Sequence, residues 1–202
     1  MIALSLSISL IIAYLIGSIP FAYLYGKAFK KIDIRQHGSG NVGATNVMRV
    51  LGTKAGLIVF FLDVLKGFLP VFLAQMIFSD TIEYLPVLVA IFTILGHTFT
   101  IFLSFKGGKG VASAAGVFIA FSPYTFIAAI TLFAIIVYFT RYVSLGSIIA
   151  LIAITIANFL LPELSIYVKY FTLIVSVFII YLHKSNIKRL MNGTENKFGI
   201  KN

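Results

Sequence analysis

The residues from Gly38 to Arg49 form a small, polar, glycine-rich segment in a chain otherwise dominated by apolar runs. Glycine lets a backbone approach a ligand closely and present its amide groups. We expect this first glycine-rich segment to lead into a short helix that ends near Arg49, and a helix N-terminus favours an anion. The composition therefore predicts a site that binds a phosphate group.

Three further polar patches separate apolar runs, at residues 105–111, 141–147 and 181–189. The patch at 105–111 is called the second glycine-rich segment. It contains Gly107-Gly108-Lys109-Gly110 and is expected to open a helix. Its spacing is not that of a P-loop, and no strand precedes the glycines as a dinucleotide fingerprint requires. Backbone amides and basic side chains on these patches would add to a phosphate-binding surface; the bases are Lys106, Lys109, Arg141 and Lys184.

Three of the ionisable side chains inside predicted membrane helices are candidates for a functional or structural role. His97 is a functional candidate at that depth, although a neutral histidine can also bond between helices for structural reasons. Asp63 and Lys66 are three residues apart and so share one helix face. They are expected to pair or to face the protein interior, as a structural pair or as a catalytic one.

The composition is that of an integral membrane protein. Of the 202 residues, 60% are hydrophobic and 11% are charged, whereas a soluble domain has about 25% charged residues. The formal charge of +10 lies in the loops, where membrane topology and anionic ligands explain it better than nucleic acid does. Without cysteine, and with few carboxylates and three scattered histidines, the sequence offers no metal site. The apolar N-terminus is expected to be a first span and not a cleaved signal peptide.

The number of spans depends on residues 111–140. One helix over this run would be about 45 Å long, against a hydrocarbon core of about 30 Å. Two helices broken at Ser122-Pro123 would each be short. The other predicted spans are 2–26, 55–78, 85–103, about 144–161 and about 165–183.

Charge decides between the two possibilities. With two spans over 111–140, every lysine and arginine except Lys169 lies on or toward the side of the polar patches, and Asp80, Glu83 and Glu163 lie on the other. The positive-inside rule then makes the first side cytoplasmic. We predict an all-α integral membrane protein with seven transmembrane helices, two of them short. Its N-terminus is outside, its C-terminus is cytoplasmic, and residues 1–202 form a single transmembrane catalytic domain.

These motifs resemble a known family, the bacterial acyl-phosphate-dependent glycerol-3-phosphate acyltransferases. The resemblance follows the chain in order through GSGNVGATNVMR at 38–49, GHTF at 96–99, FKGGKGVAS at 105–113, and the segments 141–147 and 183–186. Thr100 departs from an expected proline, without a catalytic consequence.

The resemblance implies an enzyme of the cell inner membrane with its active site at the cytoplasmic face. It would move a fatty acyl group from acyl phosphate to the sn-1 hydroxyl of glycerol 3-phosphate, giving lysophosphatidic acid and phosphate in the first acylation of phospholipid synthesis. No cofactor is implied. The implied partners are the two substrates, the lipid bilayer and the enzyme that forms acyl phosphate, without nucleic acid.

The resemblance also implies which candidate residues bind the substrate and which are catalytic. Ser39, Arg49 and Lys109 would hold the substrate phosphate, and Asn41, Thr45 and Asn186 would position the substrate. The implied catalytic residues are His97, Ser144 and His183. The full substrate-binding set is Ser39, Gly40, Asn41, Gly43, Thr45, Arg49, Lys106, Gly108, Lys109 and Asn186.

The chemistry implied differs from that of acyltransferases with an HxxxxD pair, which this sequence lacks. Acyl phosphate is already activated, so positioning and charge stabilisation would supply most of the catalysis. No nucleophile–base pair is evident, which favours direct attack by the glycerol hydroxyl. The general base is either His97 or the phosphate of the substrate.

Two other functions compete with this one. An anion or phosphate-ester transporter would share the basic glycine-rich turns, but it would also carry an internal repeat and polar residues across the bilayer. A membrane subunit without enzymatic activity would not need phosphate-binding turns on four separate segments.

Overall fold

The structure, a computed structural model, describes residues 2–78 and 82–199. Within these ranges it contains ten α-helices, two short 3-10 turns at Ile34–Gln36 and Ile101–Leu103, and no strand. The helices are α1 (Ile2–Ser18), α2 (Phe21–Lys30), α3 (Ala44–Leu51), α4 (Thr53–Phe78), α5 (Leu85–Thr98), α6 (Val111–Phe121), α7 (Pro123–Thr140), α8 (Val143–Leu160), α9 (Ile166–Leu182) and α10 (Lys184–Met191).

Several of these helices can cross a membrane. Four stretches are long and apolar enough: α4, α5 with the turn that follows it, α7 and α8. The count rises to six if the bent pairs α1–α2 and α9–α10 are each one span, and α6 is a shorter apolar helix. The described chain is therefore an all-helical membrane protein, as predicted, while the count of seven and the orientation remain predictions.

Prolines determine where two of the apolar runs break. α6 ends at Phe121 and α7 begins at Pro123, so the predicted break at Ser122-Pro123 is confirmed. The run 2–26, predicted as one span, forms two helices, α1 ending at Ser18 and α2 beginning at Phe21, with a bend of 41° between them. Pro20 lacks an N–H and its ring collides with the preceding turn, which ends the first helix. Asp80, assigned above to the outer side, lies outside the described residues.

The chain divides into two compact units, Met1–Ala120 and Phe121–Asn202. In the first unit, α1 packs along α5, and both α3 and α5 pack on α4. The backbones of α1 and α5 lie very close, since a side chain on Gly17 would collide with the Thr93 carbonyl and one on Gly96 with the Tyr14 carbonyl. In membranes, small residues at helix crossings allow two helix backbones to approach closely.

Polar contacts fix the ends of α1 and α5 against each other. The Tyr14 hydroxyl donates to the Phe99 carbonyl at 2.6 Å, and the Thr100 hydroxyl donates to the Ser18 carbonyl at 2.5 Å. α6 approaches α4 through glycines as well, because a side chain on Gly67 would meet the Ser113 carbonyl. The ends of these helices therefore hold the glycine-rich segments in defined places.

In the second unit, α8 packs between α7 and α9, and α10 contacts both α8 and α9. Neutral polar side chains link the three long helices inside the unit. The Thr125 hydroxyl donates to Asn158 Oδ1 at 2.6 Å, and Asn158 Nδ2 donates to the Thr172 hydroxyl at 3.1 Å. Buried side-chain amides need such partners in a membrane interior.

Candidate active site

Asn46 holds the first glycine-rich segment in shape. Its Oδ1 accepts from the Ser39 amide at 2.8 Å, and its Nδ2 donates to the carbonyls of Ile34 at 3.2 Å and His37 at 3.0 Å. The side chain is 1% exposed. Sequence reasoning missed this role, because an asparagine beside Thr45 in a polar stretch resembles a ligand-binding residue as much as a structural one.

The loop geometry requires glycine at two positions. Gly38 and Gly40 have φ values of 61° and 71°, a left-handed conformation that other residues rarely adopt. After Gly43 the chain enters α3, which ends at Leu51, so the predicted short helix carrying Arg49 is confirmed. Ser39 and Arg49 are exposed, and Asn41 and Thr45 are half-buried beside the start of α3.

Two amides of the loop are already paired and are not free to donate to a phosphate. The Ser39 amide is bound by Asn46, and the Gly40 amide donates to the His37 carbonyl at 3.1 Å. The first amides of a helix have no earlier carbonyl to bind. In α3 these are the amides of Ala44 and Thr45, which can therefore donate to a ligand.

The second glycine-rich segment packs against the end of α5. The Gly107 amide donates to the Thr98 carbonyl at 2.9 Å, and the Gly108 amide donates to the His97 carbonyl at 3.2 Å. The prediction that these two amides face a ligand is therefore wrong, because they satisfy the terminal carbonyls of the helix. The predicted opening of a helix here is confirmed, since α6 begins at Val111.

Gly108 also brings the two glycine-rich segments together. A side chain at this position would collide with His97 Nε2 and with the Val42 carbonyl. Lys106 is exposed and Lys109 is half-buried on either side of the paired glycines. Gly108 remains a predicted substrate-binding position, through close backbone approach and not through its amide.

His97 lies in a buried polar cluster. Its Nδ1 is 3.0 Å from the Ser113 hydroxyl and 3.7 Å from Asp63 Oδ1. Asp63 Oδ1 is 2.7 Å from Lys66 Nζ, which also donates to the Ile19 carbonyl at 2.7 Å. The predicted pairing of Asp63 with Lys66 inside the protein is confirmed.

A small cleft adjoins this cluster, with room for about one water molecule. It is bounded by the break between α1 and α2, both glycine-rich segments, α4 and the end of α5. Its lining residues are Ser18, Ile19, Pro20, Phe21, Val42, Asp63, Lys66, His97, Thr100, Gly107 and Gly108.

In the second unit, Glu195 joins two of the predicted site residues. Its Oε1 accepts from the Ser144 hydroxyl at 2.8 Å and from Asn186 Nδ2 at 2.6 Å, and its Oε2 accepts from Arg189 Nε at 2.6 Å. Burial by itself would raise the pKa of the Glu195 carboxyl, but the bonds from Asn186, Ser144 and Arg189 outweigh it and the pKa is lowered. This carboxylate was not predicted, since it lies in a polar tail without a motif.

His183 stands between α9 and α10 and is buried. Its Nδ1 lies 2.8 Å from the Ile179 carbonyl. A carbonyl can only accept, so Nδ1 carries a proton and donates it to this bond. The next turn places Asn186 on the buried side of α10.

Comparison with known proteins supplies the remaining evidence. A family model described as glycerol-3-phosphate acyltransferase matches residues 7–193. A glycerol-3-phosphate acyltransferase of Fusobacterium nucleatum is 45% identical over 192 residues, covering 94% of this chain and 96% of the relative. Glycerol-3-phosphate acyltransferase 2 of Bacillus anthracis is 49% identical over 190 residues, covering 94% of this chain and 97% of the relative.

Solved structures agree with the sequence relatives. The glycerol 3-phosphate form of PlsY, an integral membrane glycerol 3-phosphate acyltransferase, superposes with a TM-score of 0.91 at 42% identity and covers 96% of both chains. Its lysophosphatidic acid form gives a TM-score of 0.88 at 41% identity, again covering 96% of both chains. The chain therefore belongs to the glycerol-3-phosphate acyltransferase family.

Proposed function

We propose that the chain transfers a fatty acyl group from acyl phosphate to the sn-1 hydroxyl of glycerol 3-phosphate. The ester C–O bond forms as the carbonyl–phosphate bond breaks, and the hydroxyl proton leaves with a base or with the phosphate. The observation that carries the proposal is the likeness to PlsY, whose solved forms contain glycerol 3-phosphate and lysophosphatidic acid. The family assignment favours acyl transfer over the transporter and subunit hypotheses.

For the first unit, we propose that Ser39 and Arg49 hold the phosphate of glycerol 3-phosphate. Arg49 is exposed on α3, and a guanidinium can bind two phosphate oxygens at once. The amides at the first turn of α3 would bind a further oxygen, with Asn41 and Thr45 beside them. Lys106 and Lys109 would neutralise the remaining negative charge, and Gly40, Gly43 and Gly108 would allow the backbone to come close.

Direct attack by the glycerol hydroxyl fits the geometry around His97 better than an acyl-enzyme does. Ser113, His97 and Asp63 resemble the members of a catalytic triad, but the hydroxyl and the carboxylate both face the same ring nitrogen, Nδ1. A triad needs the serine on one nitrogen and the carboxylate on the other. Ser113 is also fully buried, so its hydroxyl is not placed to receive an acyl group.

For the second unit, we propose that Ser144 and His183 contact the reacting groups and that Asn186 orients the substrate. The Glu195 carboxylate gives Ser144 and Asn186 fixed orientations, which lowers the entropic cost of reaching a productive geometry.

We further propose a location in the cell inner membrane, with seven spans, the N-terminus outside and the site at the cytoplasmic face. Acyl phosphate is a reactive mixed anhydride, so the enzyme that forms it is the expected supplier. The absence of native cysteine makes orientation testable with single cysteines placed at Ser39 and Glu163. An impermeant thiol reagent applied to intact cells should label the second site and not the first.

The test of activity uses purified protein with acyl phosphate and labelled glycerol 3-phosphate. Acyl-CoA and acyl carrier protein serve as control donors. Labelled lysophosphatidic acid from acyl phosphate alone is the expected result. If acyl phosphate gives none, the proposed activity is wrong; product from a control donor instead would move the proposal to that donor.

A further inference from the structure

The buried cluster behind His97 contains more charge than packing requires. Asp63 is 1% exposed, Lys66 4%, His97 6% and Ser113 0%. Replacing a buried ion pair by apolar side chains of similar volume is often neutral or stabilising. Ionisable side chains inside membrane helices also tend to have functions. The burial of this ion pair therefore points to a role besides stability.

Lys66 has an evident structural partner outside the pair. Its ammonium donates to the Ile19 carbonyl at 2.7 Å, where Pro20 breaks the chain between α1 and α2. The same carbonyl accepts from the Phe21 amide at 3.2 Å, so Lys66 adds a second bond at the point where the helix is interrupted. Asp63 balances the charge of Lys66, and its Oδ1 also extends to within 3.7 Å of His97 Nδ1.

The His97 ring is held on both edges. On one edge, Ser113 Oγ and Asp63 Oδ1 face Nδ1. On the other edge, Nε2 lies so close to Gly108 that no side chain would fit there. A carboxylate beside one ring nitrogen favours the proton on that nitrogen and leaves the other as an acceptor.

We propose that Asp63 is a positioning residue for acyl transfer, which with Lys66 and Ser113 fixes the orientation and tautomer of His97. Nδ1 carries the proton and faces the ion pair, and Nε2 presents its lone pair to the cleft where the two glycine-rich segments meet. This inference rests on the proposed function. It assigns Asp63 a role that acts through His97 and not through the substrate.

A kinetic test separates positioning from simple charge pairing. Asp63→Asn leaves Lys66 without its counter-charge, so both stability and activity are expected to fall. The double variant Asp63→Asn/Lys66→Gln removes both charges and keeps a donor for the Ile19 carbonyl. We expect its thermal midpoint to recover toward that of the parent while kcat stays at least tenfold lower. The KM for glycerol 3-phosphate should change less than twofold.

The control is Glu163→Gln, the same loss of a carboxylate at an exposed turn, which should leave kcat and KM unchanged. The inference is overturned if the stable double variant regains the parent kcat. It is also overturned if the loss appears in KM with kcat unchanged.

A second measurement needs no variant of the ion pair. ¹⁵N-histidine NMR of the parent, with the His97 signals identified by their loss in His97→Gln, reports which ring nitrogen carries the proton. Protonation at Nδ1 is expected, and protonation at Nε2 would refute the assigned tautomer. Because this readout does not depend on turnover, a parent protein without acyltransferase activity would remove the proposed function and still leave the orientation of His97 testable.

Discussion

Glu195 accepts a 2.6 Å hydrogen bond from the side-chain amide of Asn186, nine residues earlier in the chain. The same oxygen accepts from Ser144, 51 residues earlier. One buried carboxylate thus joins the start of α8, α10 and the tail that follows α10. Ser144, a predicted catalytic residue, and Asn186, a predicted substrate-binding residue, are therefore both held by Glu195, which was predicted for neither role.

Glu195→Gln should weaken this arrangement, because the amide of glutamine cannot accept on both of its terminal atoms. We expect kcat/KM to fall at least tenfold and the thermal midpoint to fall by about 5 °C. Steady-state kinetics and a thermal melt in detergent would measure both, with Glu163→Gln as the matched control. Unchanged kinetics would show that Ser144 and Asn186 do not need a fixed orientation.

Acid should remove the stabilising contribution of Asp33. The hydrogen bond from Arg35 lowers the pKa of the Asp33 carboxyl from 3.8 to about 2. Because the folded-state pKa is the lower one, the contribution is fully present above pH 3.8 and is lost as the pH falls toward about 2. The gap in thermal midpoint between the parent and Asp33→Asn should therefore close across this interval. A gap that stays constant would contradict the assignment.

Arg49→Ala should weaken binding of glycerol 3-phosphate. Loss of the guanidinium is expected to raise KM for this substrate at least tenfold, a loss of about 1.4 kcal/mol or more, with a smaller effect on kcat. Lys54→Ala removes an exposed positive charge just beyond α3 and is the control for general electrostatic effects. Equal changes in the two variants would place the phosphate-binding group elsewhere.

His97→Gln distinguishes the two candidate bases. If His97 takes the proton of the glycerol hydroxyl, kcat should fall by about a hundredfold or more. The measurement is kcat at saturating concentrations of both substrates, with a thermal melt to verify folding. A near-normal kcat would leave the phosphate of the substrate as the base.

Asn46→Ala should loosen the first glycine-rich segment. The substitution removes the bonds to the Ser39 amide and to the carbonyls of Ile34 and His37. The two carbonyls keep the bonds from the His37 and Gly40 amides, but the Ser39 amide loses its partner, which costs about 1–3 kcal/mol. We expect a lower thermal midpoint and a higher KM for glycerol 3-phosphate, measured together. A lower midpoint with an unchanged KM would mean that the loop does not bind this substrate.

Local features of the sequence predicted the parts of the fold that depend on local chemistry. The length of residues 111–140, the position of Pro123 and the positive-inside rule together predicted two helices. The spacing of Asp63 and Lys66 was enough to predict an internal pair. The bend at Pro20 was missed because membrane helices tolerate proline, and because hydropathy does not report the direction of a helix axis.

The features that were missed depend on tertiary contacts. The Gly107 and Gly108 amides were expected to face a ligand, but they bind the carbonyls at the end of α5, an acceptor set that no local pattern reveals. Glu195 was missed for the same reason, since its partner Ser144 lies far away in sequence. Sequence motifs indicated which segments matter, and tertiary packing determined which atoms remain available.

The close contact of α1 with α5 has a consequence for biosynthesis. Gly17 of α1 fits against a helix that begins 67 residues after α1 ends, since α1 ends at Ser18 and α5 begins at Leu85. During synthesis, α1 therefore enters the lipid long before its partner is made. Gly17 then faces acyl chains, and the first unit can form only when α5 has been inserted. When the ribosome is stalled before α5 is made, α1 of the nascent chain should crosslink to membrane insertion factors.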